Sequence, residues 1–319
     1  MSSLLAFEHA IIDVATMAVV VTFATLGAVY LAARVVAKFV RPRIAPRAGS
    51  LFALGVAPDV TAAAIAIGLV LPAFVRFEPP HEGERAGLLL FVLAVIGAWH
   101  LVALVVRAAR LLIVSHAFTR QWDATAVALE EPRWGLPAFA IDAGFPVVAI
   151  AGLFRPRLYV DRRVLAACSD RELDAIAAHE RAHVLHRDNL RRLMIGACEG
   201  PTSARATEWR SAAEHLADRR AADSPHRALD LAGALLTLAR LAPGRSLEAT
   251  MLSTVRDGGD LESRVHQLLA ISATRPDTSS RRMPWIAGSS IVALGTSRVW
   301  NQLLSSVHEI VEETVRFLP

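Results

Sequence analysis

Three residues near the middle of the chain, His179, Glu180 and His183, stand in the order H-E-x-x-H. On an α-helix, residues four positions apart lie on the same face, so both imidazoles can direct a nitrogen at one Zn²⁺ ion. Glu180 lies one position round the helix, where it can reach a water on the metal but is poorly placed to bind the metal itself. The spacing therefore predicts a zinc site with ligands His179 and His183 and with Glu180 as general base.

A third ligand is needed, because a catalytic zinc ion normally has three protein ligands and a water. The stretch RATEWRSAAEHLADRRAAD predicts a second helix over about 203–222. Glu214 and Asp218 lie four apart on one face of it. We expect Glu214 to be the third ligand and Asp218 to bond the outer nitrogen of a histidine ligand. The alternative is a solvated face on which both acids pair with nearby arginines, and the adjacent H-E-x-x-H helix makes that alternative less favoured.

Two further polar residues follow the motif. His186 lies seven residues after His179, too far along a straight helix to bind the same ion, so we do not expect it to be a ligand. His186 and Asn189 also stand where metzincins carry Gly and a third His, which excludes that class. Asp188 is expected either to support a ligand or to cap the local structure.

The elements that position these residues are predicted to be a helix and short strands. Ser169 and Glu172 form an S-x-x-E capping box, and apolar residues recur at helical spacing after it, so AAHERAHVLHRDNL is expected to lie on one helix. The preceding stretch alternates short β-prone runs with Gly and Pro. It predicts strands near 137–141, 147–151 and 157–160, of which 147–151 is a candidate to bind a substrate by strand addition.

The part of the chain before residue 107 is far more apolar than the rest. The whole chain of 319 residues is 54% hydrophobic and 20% charged. Residues 14–33, 51–75 and 86–106 each approach the length of about 20 apolar residues that spans a membrane. The second span contains Pro58-Asp59, which marks a kink, a re-entrant entry or the helix start. The first has no basic residues before it and is therefore expected to stay rather than be cleaved.

Charges beside the spans predict the orientation. Basic residues follow the first and third spans, and an acidic loop separates the second from the third. We therefore expect a multi-pass protein of a bacterial cytoplasmic (inner) membrane, with its N-terminus outside and residues after Arg107 in the cytoplasm. His100 of the third span is given no role and is expected to be a neutral histidine that bonds a neighbouring helix or lies near the membrane interface. The C-terminal residues 283–297 predict either a fourth span or a surface helix, and the tail from Val299 predicts an amphipathic helix packed on the protein.

Other functions have little support. No basic tract interleaved with aromatic residues points to nucleic-acid binding. Cys168 and Cys198 form neither a CxxC pair nor a disulfide framework, so we expect two buried thiols.

Several stretches together resemble the BlaR/MecR type of membrane metallopeptidase, peptidase family M56. These are FRPRLYV, ELDAIAAHERAHVLHRD, AAEHLADRRAAD and, further on, LESRVHQLLA. The resemblance implies a mostly α membrane protein with three or four transmembrane helices and a cytoplasmic α+β zincin-like (gluzincin) domain. The expected division is a membrane domain over 1–110, a zinc metallopeptidase domain over 111–275 and a span or surface helix with its tail over 283–319.

The resemblance also implies a function, namely a regulatory zinc endopeptidase that cleaves a cytoplasmic protein such as a winged-helix repressor after a signal. The tail after Trp300 is too short for a penicillin-sensor domain, so β-lactam sensing by this chain is not expected. Two alternatives stay open. One is an HtpX-like quality-control protease, and the other is a catalytically silent membrane receptor or scaffold, which the intact Glu180 disfavours. The sequence shows no definite oxyanion-stabilising residue, although His215, Arg219 and Arg220 lie nearby.

Overall fold

The computed structural model describes residues 2–43, 46–77, 87–129, 134–241, 258–273 and 298–317. The chain divides into two compact units, one of residues 1–44, 56–106 and 280–319 and the other of residues 45–55 and 107–279. The predicted fourth span over 283–297 lies outside the described residues.

Three helical segments are long and apolar enough to cross a membrane, as predicted, and they cover Ala15–Arg43, Ala48–Phe77 and Leu88–Asp123. The second segment is continuous through Pro58, so its helix does not begin there. It passes instead through a five-residue π-helical stretch. The elements are α1 (Ser2–Val40), α2 (Ala48–Ile65), the π segment (Ala66–Val70), α3 (Leu71–Phe77) and α4 (Leu88–Asp123).

Polar and close-packed contacts join the apolar helices of the first unit. His100 Nε2 on α4 lies 2.7 Å from Asp59 Oδ1 on α2, and the His100 ring stacks on Tyr30 of α1 with ring centroids 3.6 Å apart. A Cβ atom on Gly27 would lie 2.5 Å from the carbonyl oxygen of Leu93, so glycine permits the close approach of α1 and α4. His100 thus bonds a neighbouring helix, as expected.

The amphipathic tail forms α11 (Arg298–Phe317) and also belongs to the first unit. Its residues Leu304 and His308 are buried. Other apolar residues of the same helix, Val307 and Val311, pack against a buried cluster contributed by α1, the π segment, α3 and α4. The tail therefore packs on the protein, as its pattern predicts.

The second unit contains a four-stranded mixed sheet in the order β1-β2-β4-β3. β2 and β4 are parallel, and the other two pairs are antiparallel. β3 is consequently an edge strand. The strands are β1 (Val127–Ala128), β2 (Ala138–Ile141), β3 (Val148–Ala151) and β4 (Arg157–Asp161), and the last three lie within one residue of the predicted ranges.

Helices cover the sheet and carry the polar residues of the predicted site. α6 begins with the predicted capping box, because Ser169 and Glu172 each bond the other's backbone. It packs against β3, α7, α8 and α9. The helices are α5 (Arg162–Ala167), α6 (Asp170–Leu185), α7 (Asp188–Glu199), α8 (Ala204–Ala221), α9 (Pro225–Leu241) and α10 (Gly258–Ala273).

The predicted single helix through Leu190 was wrong, because α6 ends at Leu185 and α7 begins at Asp188. Arg187 between them has the left-handed backbone angle φ +53°. Its N–H bonds the carbonyl of Val184, three residues back, which tightens and ends the helix. Apolar residues keep their helical spacing across the break between α6 and α7, so the spacing could not predict the break. The turn allows Asp188 to face back toward α6.

Candidate metal centre

Side chains from α6 and α8 converge on one buried point. His179 Nε2 and His183 Nε2 are 3.1 Å apart. Glu214 of α8 places Oε2 3.3 Å from His179 Nε2 and Oε1 3.5 Å from His183 Nε2. The three side chains are buried and can together hold a metal ion. The structure thus brings together the three residues predicted as ligands.

The outer nitrogens of both histidines meet carboxylates. His183 Nδ1 lies 2.8 Å from Asp188 Oδ2, and His179 Nδ1 lies 2.8 Å from Asp218 Oδ1. A carboxylate at Nδ1 favours the tautomer with its proton there, which leaves the Nε2 lone pair directed inward. Both acids therefore lie where they can orient the imidazoles, and Asp188 reaches its place only because of the turn at Arg187.

The inward-facing atoms fit a zinc ion. Both carboxylate oxygens of Glu214 are buried, and neither accepts a hydrogen bond of normal geometry from the residues that the structure describes. Buried lone pairs facing one another are unfavourable unless a cation lies between them. Atoms about 2.0–2.1 Å from a common tetrahedral centre lie about 3.3 Å apart, close to the separations observed here. Two imidazoles and a carboxylate also form an established zinc ligand set.

A buried arginine from α10 completes the charge balance. Arg264, 2% exposed, donates from Nε to Asp218 Oδ2 at 2.7 Å and from Nη2 to Oδ1 at 2.9 Å. Its Nη1 lies 3.3 Å from Glu214 Oε2. A bound dication and this guanidinium would together balance the negative charges of Glu214, Asp218 and Asp188. Sequence reasoning missed this role, although the arginine of LESRVHQLLA was a signal.

Two glutamates beside the histidines have opposite electrostatic environments. Burial raises the pKa of Glu180, although the nearby charges of His183 and His179 oppose that effect. Burial acts in the same direction on Glu214, but there the charge of His183 outweighs it, and the pKa of Glu214 lies well below its usual value. Such a division gives one carboxylate that stays charged and one that takes up a proton more readily than an ordinary glutamate does. Glu214 suits a ligand, and Glu180 suits an acid–base group.

Zinc binding is expected to release protons. Burial opposes the charged form of His183, but Glu214 and Asp188 outweigh it and raise the pKa of His183 to about 10. The metal-free protein therefore holds a proton at pH 7 that a ligating Nε2 cannot keep. We expect release of at least about one proton per zinc and weaker binding as pH falls. Titration calorimetry in two buffers of different ionisation enthalpy measures this, and equal heats in both would contradict it.

Loss of a supporting carboxylate is expected to weaken metal binding. In Asp188→Asn or Asp218→Asn, a histidine ligand loses the charge that fixes its tautomer, and zinc affinity should fall about 10–100-fold. Competition with a chromogenic chelator measures the affinity. Asp174→Asn is the matched control, because Asp174 also lies on α6 but accepts its hydrogen bond from Trp134. Unchanged affinity in Asp188→Asn would contradict the assigned role.

The remaining polar candidates lie elsewhere. His186 is half-buried and is not part of the metal-binding group. His215 Nδ1 and Arg219 Nη1 lie 3.1 and 3.3 Å from Gln267 Oε1 of α10, so they contact that helix. Arg220 is exposed. The thiols Cys168 and Cys198 are buried, as predicted.

Comparison with known proteins gives one family. Residues 140–281, from β2 through α10, match the model of peptidase family M48. No curated protein and no solved structure matches the chain. The match includes every residue of the metal centre, and it supports a metallopeptidase. The comparison shows that this part of the chain is similar to the metallopeptidases of family M48. The resemblance to the BlaR/MecR type stays a prediction.

Proposed function

We propose that this protein is a membrane-anchored, zinc-dependent endopeptidase. The observation that carries the proposal is the buried triangle of His179, His183 and Glu214 with Glu180 beside it on α6. The three apolar helices supply the membrane anchor. The family match to residues 140–281 supports the same chemistry.

The side chains have separate roles in hydrolysis. Zn²⁺ held by His179, His183 and Glu214 would polarise the peptide carbonyl and make a water molecule more acidic. Glu180 takes a proton from the attacking water as its oxygen bonds the carbonyl carbon. Glu180 then gives the proton to the amine nitrogen as the C–N bond breaks. Its raised pKa suits both transfers.

A substrate in extended conformation has a place beside the site. β3 is an edge strand, and α6 packs against it. An extended peptide can add to such an edge through backbone hydrogen bonds, with little dependence on its sequence. We therefore propose β3 as the strand that aligns the substrate.

The physiological role has two candidates. The first, implied by the resemblance to the BlaR/MecR type, is regulated cleavage of a cytoplasmic protein such as a winged-helix repressor, with residues after Arg107 in the cytoplasm. The second is HtpX-like quality control, with which the M48 match is equally compatible. Quantitative proteomics of cells expressing wild-type protein or Glu180→Gln separates them. Shortening of one DNA-binding regulator indicates the first, and accumulation of many membrane proteins in the variant indicates the second.

Hydrolysis itself is tested with the full-length protein in detergent and unfolded casein. We expect cleavage that stops when 1,10-phenanthroline removes the metal and returns when Zn²⁺ is added. Zinc-loaded protein that leaves casein intact would contradict the proposal and would favour the silent receptor or scaffold.

A further inference from the structure

A cavity of about 110 Å³ lies in the second unit beside the edge strand β3. Its walls come from α4, from β3 and the turn after it, and from α7 and α8. Most of the lining is apolar. Among the lining residues are Leu112, Ile150, Leu153, Leu193, Ile195 and Trp209.

The cavity and the candidate active site share helix α7. Asn189 lines it and directly follows Asp188, whose carboxylate meets the His183 ring. Arg192, one turn further along α7, also lines the cavity, and its charge acts on Glu180. The N-terminal part of α7 therefore contributes to both the metal centre and the cavity wall.

Arg192 carries an unsatisfied donor. Its Nε is buried and has no hydrogen-bond acceptor among the residues that the structure describes. Arg192 as a whole is half-buried, but a buried donor atom without an acceptor is costly, and an oxygen of a bound molecule can satisfy it. A peptide carbonyl is the acceptor that every polypeptide substrate brings.

The edge of β3 directs an extended chain toward the cavity. The carbonyl of Val147 accepts from Asp161 N–H on the β4 side, so the backbone groups of Val148 and Ile150 face away from β4. The Asn189 amide donates to the carbonyls of Ile150 and Gly152, both at 3.1 Å. Asn189 thereby occupies the outward-facing carbonyls of Ile150 and Gly152, so they are not free to pair with a substrate. These two residues also line the cavity. A chain paired at Val148 would therefore continue toward Ile150 and Gly152, which line the cavity.

We propose that this cavity is a specificity subsite that binds an apolar aliphatic side chain of the substrate, with Arg192 donating to a substrate carbonyl oxygen. This inference rests on the proposed peptidase function. A cavity of about 150 Å³ binds benzene, so this smaller one suits leucine, isoleucine or valine rather than an aromatic side chain. The Arg192 charge disfavours lysine and arginine, and the apolar lining disfavours a buried carboxylate.

Cleavage-site mapping with variants of the cavity wall tests the subsite. Zinc-loaded full-length protein cleaves unfolded casein, and mass spectrometry identifies the residues around each cleaved bond. Leu193→Ala enlarges the cavity, and Ala206→Val reduces it. Matched controls on the same helices, outside the lining, are Leu190→Ala and Ala212→Val.

We expect wild-type protein to prefer aliphatic residues at one fixed position relative to the cleaved bond. Leu193→Ala should raise the ratio of phenylalanine to leucine at that position by about tenfold or more. The reason is that one methylene group in an apolar pocket changes the kcat/KM ratio between two substrates by about 10–200-fold. Ala206→Val should move the preference toward alanine, and the controls should cleave as wild type does. Arg192→Met should lower kcat/KM about tenfold or more at every site without changing the preferred residue.

Two results would overturn the inference while leaving the peptidase function in place. One is cleavage whose side-chain preference is unaffected by Leu193→Ala and Ala206→Val. The other is a wild-type preference for aspartate or glutamate at the fixed position, which would make Arg192 a partner of acidic side chains. Zinc-loaded wild-type protein that cleaves no bond would instead overturn the function and the subsite together.

Discussion

Glu180→Gln is expected to keep its zinc and to lose peptidase activity by about 10²–10⁴-fold, which is the usual contribution of a general acid–base group. Glutamine has nearly the shape of glutamate but cannot take a proton from water or return it to an amine. Glu180 is not one of the three residues that can hold the metal, so metal content should stay at one zinc per chain. Casein cleavage and zinc content measured on the same preparation check both parts.

The matched control for this prediction is Glu262→Gln, which changes an exposed glutamate on α10. It should behave as wild type in both measurements. Full activity in Glu180→Gln would exclude this residue as the base. Loss of zinc together with activity would instead place Glu180 among the ligands.

Arg264→Met is expected to cost about 3–5 kcal/mol of unfolding free energy, because it leaves buried carboxylates without their cationic partner. The side chain is 2% exposed, and Asp218 loses two hydrogen bonds. Glu214 loses its nearest guanidinium at the same time. Denaturant unfolding of the metal-free protein in detergent, followed by far-ultraviolet circular dichroism, measures the loss.

Added zinc should recover part of the stability lost in Arg264→Met, because a dication supplies positive charge at the same carboxylates. Arg219→Met is the control. Arg219 is exposed on α8 and also bonds α10, through Gln267, and its removal should change the unfolding free energy by no more than about 0.5 kcal/mol. Equal stabilities of the two variants would show that Arg264 does not hold the site together.

The parts of the site that follow local rules could be predicted from the sequence. His179 and His183 lie four apart on one helix, and Glu214 and Asp218 lie four apart on another, so helical geometry alone aligns each pair. The capping box at Ser169 likewise fixed the start of α6. Three short strands were predictable because Gly and Pro residues lie at the ends of their β-prone runs.

The parts that depend on tertiary packing could not be predicted. Asp188 meets His183 because α6 breaks at Arg187, and the apolar spacing gives no sign of that break. Arg264 contacts Asp218, although the two residues are 46 positions apart in sequence. They lie on different helices, so helical spacing cannot predict the contact. The cavity has no sequence pattern, since its wall combines residues of four elements with different periods.

The zinc site is tested most directly by the zinc content of the full-length protein, purified in detergent and supplied with the metal, compared with His179→Ala and Glu214→Ala. His186→Ala and Glu262→Ala serve as controls, because they remove a histidine and a glutamate outside the metal-binding group. We expect about one zinc per chain in wild-type protein and both controls, and none in the two ligand variants. Wild-type protein without zinc, or ligand variants that keep it, would show that these three residues do not form a zinc site.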